Sequence, residues 1–500
     1  MALSSPLRPP WSAASLTTMS PETLLPSFVA DAIWPDHKSP LQTHRLHSTS
    51  YLDGLRGVAS LLVFFCHYTE ENHPYLVPTY GLNKDGESSL LQLPLVRILY
   101  SGRPMVHIFF VISGFVLSYK PLKAIRTRDL EKCYTALSSS TFRRPFRLFG
   151  PCLVSTAIVA VMIQCGFMYR PLPSLWRQFL AWIDAMFHSV TWPWAWDFDL
   201  RPAFDIHLWS IPIEFAHSML LFLTILMVAR LRTRARLAIE VLLIAYAVTC
   251  GKWAAFEFWA GMLLADIHIK RTAQMKRYES IDSISPSSPG TLPSIIENPI
   301  LHYCVHGTTF LACIFTGGWP NFDADRTPGI RWLLAHTPSS FPQVDNVTPQ
   351  KFWFAVQAIA MVWTCGELHP VKEFLEGEFA QYLGHISYAI YIVHGPVLEC
   401  LQRQVAGQVY VAPKGTPKLP GYRPEVLPSG VKGMVGIDTA MQRTVCWAMG
   451  MLLLGPIVIW VADLFWRLVD IPMVRLARTI ETKVLDNDVD LGARSNGNAH

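Results

Sequence analysis

Four stretches of this sequence carry no charged residue over a length that can cross a lipid bilayer: 151–169, 299–321, 379–398 and 444–462. A hydrocarbon core of about 30 Å requires about 20 apolar residues of α-helix. Charged residues make up only 16% of the chain, against roughly 25% in soluble domains. These features exclude an ordinary soluble domain, a disordered chain and a disulfide-stapled secreted domain. They predict an all-α, polytopic membrane protein.

These stretches and shorter apolar ones predict about ten transmembrane helices. The predicted spans are 54–70, 103–119, 150–168, 208–229, 234–251, 253–268, 299–318, 351–366, 380–402 and 441–463. The segment 174–192 is amphipathic, which indicates an interfacial or re-entrant helix, and the count becomes eleven if it spans. Residues 1–47 are predicted to form a flexible cytosolic tail, 48–480 the membrane domain, and 481–500 a second cytosolic tail.

Lysine and arginine concentrate in every second loop, which predicts the orientation of the chain. They crowd the loops 120–147 and 230–236 and the segment that follows the last span. Both termini are therefore expected in the cytosol, and tryptophan-rich loops such as 192–201 in a lumen or outside the cell. Asn346 begins the only N-glycosylation sequon and falls on that second face. We expect residence in the endoplasmic reticulum or another endomembrane, with the plasma membrane as the alternative.

The remaining global features exclude more than they indicate. A net charge of +5 is too small to predict a nucleic-acid partner. The ten cysteines show neither CxxC nor Cys/His zinc spacing, so we expect no metal. The expected partners are the lipid bilayer and a small molecule, and the oligomeric state is left open.

Ionisable groups inside predicted spans are the candidates for chemistry, because the membrane tolerates them poorly. Arg56 and His67 are eleven residues apart, which places them on one face of the first helix, with His67 ~16 Å deeper. Imidazole exchanges protons near neutral pH, and a guanidinium at the cytosolic entrance suits a phosphate. The alternative is an interfacial arginine anchor together with a histidine bonded to a neighbouring helix.

Further candidates lie in four other spans. Arg143, Arg144 and Arg147 form a basic cluster at the entrance of the third span, where simple cytosolic anchoring is the competing interpretation. Glu214 is a carboxylate one turn into an apolar helix and requires a partner. The other candidates are His107, Ser113, Ser210 and His394. His385 lies nine residues before His394, so the two should face opposite sides of their helix.

In order along the chain, these residues resemble the membrane-bound acyltransferase-3 family, as a fungal member. The motifs that carry the resemblance span roughly residues 48–480 and are 51–57 with His67, 108–115, 143–151, 209–214, 384–396 and 469–472. The sequence departs from the family at His107, where an aspartate is usual, and at Phe215, where a second acid is common. These departures leave open which group orients His67.

The resemblance implies a fold of roughly ten helices and an acyl-CoA that enters from the cytosol. It implies that His67 is catalytic and that Arg56 and the 143–147 arginines hold the coenzyme, with Glu214 in an orienting or charge-balancing role. We expect an O-acyltransferase that moves an acyl group, most simply acetyl, from acyl-CoA to a hydroxyl of a small natural product. Acetylation of a wall or secreted glycan is one alternative, and a proton-coupled transporter is another.

Overall fold

The computed structural model describes residues 25–27, 29, 33, 46–83, 87–168, 171–282, 299–345, 347–406 and 430–496. Within these ranges the regular secondary structure is entirely helical, which confirms the all-α prediction. The longer helices are α1 (Ser50–Asn72), α2 (Arg103–Arg126), α3 (Leu130–Gln164), α4 (Leu175–Ala185), α5 (Ser210–Val228), α6 (Thr233–Thr249), α7 (Trp253–Asp282), α8 (Pro299–Gly317), α9 (Ile330–Ala335), α10 (Thr348–Glu367), α11 (His369–Glu376), α12 (Glu378–Ala406), α13 (Val431–Val435), α14 (Ala440–Phe465) and α15 (Ile471–Asn496).

Five helical segments of the described chain are long and apolar enough to cross a bilayer. They are Arg103–Arg126, Leu130–Gln164, Ile206–Val228, Pro299–Gly317 and Ala440–Leu485. Large apolar side chains on their outer faces are exposed, as lipid contact requires; Leu223 and Leu452 are examples. An integral membrane protein is therefore confirmed, whereas the predicted count of about ten spans is not.

The arginine-rich segment predicted as a loop is helical. Asp129 caps the N-terminus of α3 by accepting a hydrogen bond from the backbone N–H of Lys132 at 3.0 Å. From there the helix continues past Pro145 and Pro151 to Gln164. The 143–147 arginines therefore project from a rigid helix, and their spacing of four residues places the outer two on one face.

Glycines bring two helix pairs of the core into backbone contact. A Cβ at Gly57 of α1 would lie 2.3 Å from the backbone nitrogen of Gly384 in α12. A Cβ at Gly114 of α2 would lie 2.3 Å from the carbonyl oxygen of Phe258 in α7. Small residues allow this close approach between membrane helices. The α1–α12 contact matters most, because these two helices carry Arg56, His67, His385 and His394.

The amphipathic segment 174–192 forms α4 and a π-helical turn at Met186–Val190. Eleven residues of α-helix extend about 17 Å, which is too short to cross a bilayer. The side chains of Trp176, Phe179 and Phe187 remain exposed. This geometry favours the interfacial interpretation of the segment.

Both predicted tails contain structured residues. Ser27 donates a hydrogen bond to the carboxylate of Asp463 in α14 at 2.6 Å. At the other end, α15 runs through the predicted boundary at 480/481, and Glu481 pairs with Arg143 at 3.3 Å. α15 is thus held against α3 on the arginine-bearing side of the molecule.

Candidate active site

Two cavities enter the helical core and meet at one tyrosine. We call the first the arginine cavity; it has a volume of about 400 Å³. Its lining includes Arg56, Ser113, Arg144, Arg147, Ser210, Glu214, His385, Tyr388, Tyr391, Asp470, Arg475 and Arg478. A wider surface groove of about 740 Å³ adjoins it and shares Arg144, Arg147 and Arg478. The arginine cavity opens towards the charged segments that the sequence places in the cytosol.

Glu214 is charge-balanced inside the arginine cavity. Its carboxylate accepts hydrogen bonds from the Arg144 guanidinium at 2.6 Å and from the Ser113 hydroxyl at 2.9 Å. Arg144 also donates to the hydroxyl of Ser218 at 3.1 Å. The partner that the sequence required for Glu214 is therefore Arg144. This pair stiffens the wall of the cavity and leaves little net charge at that point.

Arg56 and the other two arginines of the 143–147 cluster have different environments. Arg56 donates to the Ser387 hydroxyl at 2.9 Å and to the Gly384 carbonyl at 3.0 Å, so its guanidinium is held against α12. Arg143 lines only the outer groove, where Glu481 neutralises it. Within the described residues Arg147 makes no ion pair, although it lines both spaces. Its positive charge is available to an anion.

We call the second space the histidine cavity; it has a volume of about 330 Å³. Its lining includes Cys66, His67, Glu70, Glu71, Arg103, His107, Asp197, Asp199, Arg201, His207, Trp209, Trp253, Lys351, Phe354 and Tyr391. It lies on the face of the molecule that carries the tryptophan-rich loop. Its mixture of aromatic rings and carboxylates suits an apolar molecule that bears hydroxyl groups.

Three histidines from separate segments form a cluster at the histidine cavity, which two of them, His67 and His207, line. The ring centroid of His67 lies 4.2 Å from that of His207 and 5.3 Å from that of His394. The centroids of His207 and His394 are 4.8 Å apart. We call these residues the histidine triad. His385 lines the arginine cavity instead, in agreement with its predicted opposite phase on α12.

Hydrogen bonds orient two rings of the histidine triad. His207 Nδ1 donates to Asp205 Oδ1 at 2.9 Å, and His394 Nδ1 donates to the Ile390 carbonyl at 3.0 Å. In the neutral form of each ring this places the proton on Nδ1, so that the Nε2 directed away from the partner carries a lone pair. Both Nε2 atoms are buried and have no hydrogen-bond partner in the described structure.

A glycine makes this arrangement possible. Gly395 follows His394 on α12, and a Cβ there would lie 2.3 Å from His207 Nδ1 and 3.1 Å from Asp205 Oδ1. The Asp205 carboxylate also accepts the backbone N–H of His207 at 3.0 Å and so caps the 3₁₀ turn at Ile206–Trp209. The short turn and the glycine together fix the imidazole of His207 beside His67.

The departure at position 107 has a structural counterpart. The His107 ring is hydrogen-bonded to the carboxylate of Glu257 in α7, and both side chains are buried. His107 lines the histidine cavity and packs against Trp253, with ring centroids 4.9 Å apart. The group nearest to His67 is consequently His207, backed by Asp205, and not His107.

Tyr391 separates the two cavities and lines both of them. Its hydroxyl donates to the backbone carbonyl of His207 and accepts a hydrogen bond from Ser210, at 2.6 Å. The wall between the cavities is therefore one aromatic ring thick at this point.

The structure brings together some of the predicted site residues and separates others. His67 and His394 join the histidine triad, whereas Arg56, Ser113, Arg144, Arg147, Ser210 and Glu214 line the arginine cavity. Asn346 lies outside the described residues. Sequence reasoning assigned no role to Asp205 or His207, although an ionisable pair at the entrance of a span is a usable signal.

A membrane-embedded helical fold with an arginine-lined cavity on one face and an imidazole cluster towards the other is compatible with a membrane-bound transferase. Comparison with known proteins agrees, because a family model described as an acyltransferase domain matches residues 49–460. The chain thus belongs to the acyltransferase-3 family and is a membrane acyltransferase. No protein of solved structure matches it.

Three similar proteins carry acyltransferase names. O-acetyltransferase PaAT-1 of Phomopsis amygdali is 30% identical over 478 residues, covering 89% of this chain and 87% of that protein. Acyltransferase R4 of a Phoma species is 24% identical and covers 69% of this chain and 82% of its own length. Acyltransferase MdmB of Streptomyces mycarofaciens is 24% identical, with coverages of 72% and 81%.

Proposed function

We propose that this protein transfers an acetyl group from acetyl-CoA, held in the arginine cavity, to a hydroxyl group of a small natural product held in the histidine cavity. The observation that supports it most directly is the wall at Tyr391, which has cationic groups on one side and the histidine triad on the other. Each side matches the chemistry of one substrate.

The charge of the arginine cavity and its continuity with the outer groove support acetyl-CoA as its occupant. Its phosphates carry several negative charges, and guanidinium groups bind phosphate through paired, charge-assisted hydrogen bonds. Arg147 and Arg478 line both the cavity and the outer groove and make no ion pair within the described residues. The nucleotide end of acetyl-CoA would occupy the outer groove. Its pantetheine arm would extend through the arginine cavity and place the thioester near Tyr391.

We propose a small acceptor because the histidine cavity itself is small. A volume of about 330 Å³ lies at the lower end of the range of about 300–1,000 Å³ that is typical of small-molecule sites. Trp209, Trp253 and Phe354 provide apolar contact surface, and Glu70 and Glu71 can accept hydrogen bonds from hydroxyl groups. A hydroxylated terpenoid or polyketide meets both requirements. The name of PaAT-1 supports acetyl as the group transferred.

In the proposed reaction His67 acts as the general base. Its imidazole takes the proton of the acceptor hydroxyl while the oxygen attacks the thioester carbonyl. The C–O bond forms, the C–S bond breaks, and the imidazolium returns the proton to the thiolate of coenzyme A. His207 is a positioning residue: held by its hydrogen bond to Asp205, its ring packs edge-on against that of His67, with centroids 4.2 Å apart.

The proposal is tested by expressing the chain in a yeast host and feeding a panel of hydroxylated terpenoids and polyketides. Mass spectrometry of extracts should detect an acetylated product with the native chain and none with His67→Ala, at equal membrane abundance. His306→Ala, a histidine of α8 outside both cavities, is the matched control and should retain the product. Acetylation by the His67→Ala protein would refute the assignment. Acetyl on wall glycans, with no small product, would favour the glycan alternative.

A further inference from the structure

We infer that the histidine triad is a binding site for one divalent transition-metal ion of the zinc class. One nitrogen of each of His67, His207 and His394 lies within 4.8 Å of the other two. Three nitrogens bound to a tetrahedral zinc ion at about 2.1 Å are about 3.4 Å apart. Side-chain rotations that move each ligating nitrogen by about 1 Å would therefore bring the three nitrogens to this spacing without moving the helices.

The hydrogen bonds around the triad are those expected of metal ligands. A ligating histidine usually donates its other N–H to a carboxylate or a backbone carbonyl, which fixes the tautomer and increases the basicity of the free nitrogen. His207 has a carboxylate partner in Asp205, and His394 has a carbonyl partner in Ile390. Both Nε2 atoms are buried and have no hydrogen-bond partner in the described structure, and in the neutral rings each offers a lone pair to a metal ion. Leaving such groups unsatisfied is costly, and a bound cation would satisfy both.

The surroundings select the class of ion and allow a fourth ligand. Three imidazoles favour zinc, cobalt, nickel or copper over calcium and magnesium, which prefer oxygen ligands. The histidine cavity is lined by four carboxylates and three cationic side chains, so its charge does not oppose a divalent ion. Two of the three rings, His67 and His207, line this cavity, from which water or an acceptor hydroxyl could complete a tetrahedron.

A second cluster in the described chain provides a contrast. His302, His306 and Glu367 also lie close together, but they are only partly buried. There the Glu367 carboxylate is paired with Arg271, and His302 Nε2 donates to the Glu367 carbonyl. Its carboxylate is already paired with Arg271 and all three groups are partly exposed, so we assign no ion to it and use it as an internal control.

Resting on the proposed function, the ion would act as an inhibitor of acyl transfer. A metal bound to His67 takes the lone pair that the general base needs for the acceptor proton. The protein would then be active with the triad free and inactive with zinc bound. Zinc availability would set the acetylation rate without any change of fold.

The metal site is tested on the full chain in lipid nanodiscs titrated with cobalt(II) chloride, because tetrahedral cobalt gives intense visible absorption. We expect saturable bands at one equivalent, displaced by zinc chloride. His394→Gln should weaken binding by on the order of 100-fold or more. Asp205→Asn, which leaves all three rings in place, should weaken it by about 10- to 100-fold. His306→Ala should leave the bands unchanged.

The controls separate the possible failures. Monodisperse elution and an unchanged melting temperature establish that each variant is folded, and Asp205→Asn retains a capping side chain for the turn. Absence of saturable tetrahedral bands in the native chain would overturn the site, as would equal cobalt affinity in native chain and His394→Gln. Stimulation of transfer by zinc would overturn the inhibitory role. Cobalt bands in a protein that acetylates nothing would refute only the proposed function.

Discussion

Gly395→Ala offers a sharp test of the geometry around the histidine triad, because it adds one methyl group outside both cavities. The new Cβ would lie 2.3 Å from His207 Nδ1 and 2.9 Å from Cε1 of the same ring. Carbon and nitrogen atoms in contact are usually about 3.5 Å apart. The imidazole must therefore move by about 1.2 Å, away from α12. This shift strains its hydrogen bond to Asp205, which is 2.9 Å long in the native protein.

The expected effect on activity is much larger than that on stability. A displacement of about 1 Å in a positioning group lowers rates by about 100-fold, equivalent to about 2.7 kcal/mol of activation free energy. Overpacking costs about 1–3 kcal/mol of folding stability, but alanine is favoured over glycine in a helix by about 1 kcal/mol. We therefore expect a folded protein, destabilised by about 2 kcal/mol at most, with kcat reduced about 100-fold and little change in the KM for acetyl-CoA.

The assay is the initial rate of coenzyme A thiol release in nanodiscs, with saturating acetyl-CoA and the acceptor identified in the yeast screen. Gly307→Ala in α8 is the matched control, because a Cβ at that position meets no atom within 4 Å. It should leave the rate unchanged and increase helix stability by up to about 1 kcal/mol. A Gly395→Ala enzyme with the native rate would refute the role of His207 beside His67.

Two further substitutions test the arginine cavity. Arg147→Ala should raise the KM for acetyl-CoA by roughly 10-fold or more, because a hydrogen bond to a charged group is worth about 1.5–3 kcal/mol. The control is Arg326→Ala, which removes an exposed arginine paired with Asp323 and should leave the KM unchanged. Equal KM values in the two variants would contradict the phosphate contact of Arg147. Glu214→Gln should destabilise the protein by about 3 kcal/mol, because the buried Arg144 loses its counter-charge. This value is the lower end of the range for breaking a buried ion pair. An unchanged denaturation midpoint in detergent would contradict this expectation.

The membrane class was predictable from the sequence, but the number of spans was not. Charge-free stretches identify α8 and α14, which reappear among the five candidate spans. The segment 379–398 is equally free of charge, yet α12 is not among the five. Its polar side chains include His385, Ser387, Tyr388 and His394, which line the site. These polar side chains, three of which face the arginine cavity and not lipid, keep the apolar character of α12 below that of the five candidate spans.

The histidine triad could not be predicted from spacing, because its members come from three segments far apart in sequence. The sequence indicates His67 by its depth on α1 and by family resemblance, and His394 only as an ionisable residue inside a predicted span. His207 reaches them only because the turn capped by Asp205 packs against Gly395. That contact joins residues nearly 200 positions apart. The helical period of a sequence shows which residues share a face of one helix. It contains no information about which distant segments pack against each other.

The segments that carry the motifs share one design, which explains why their spacings are what they are. α1 carries Arg56 in the arginine cavity and His67 in the triad, eleven residues or ~16 Å further along. α12 repeats this with His385 and His394, nine residues or ~14 Å apart. The turn before α5 places His207 on one side of the Tyr391 wall and Ser210 on the other. Because each segment reaches from the arginine cavity to the histidine triad, an insertion within any one of them would move its histidine relative to the arginine cavity. In α1 and α12 the distance between the proposed donor and acceptor sites is thus set by the length of a helix.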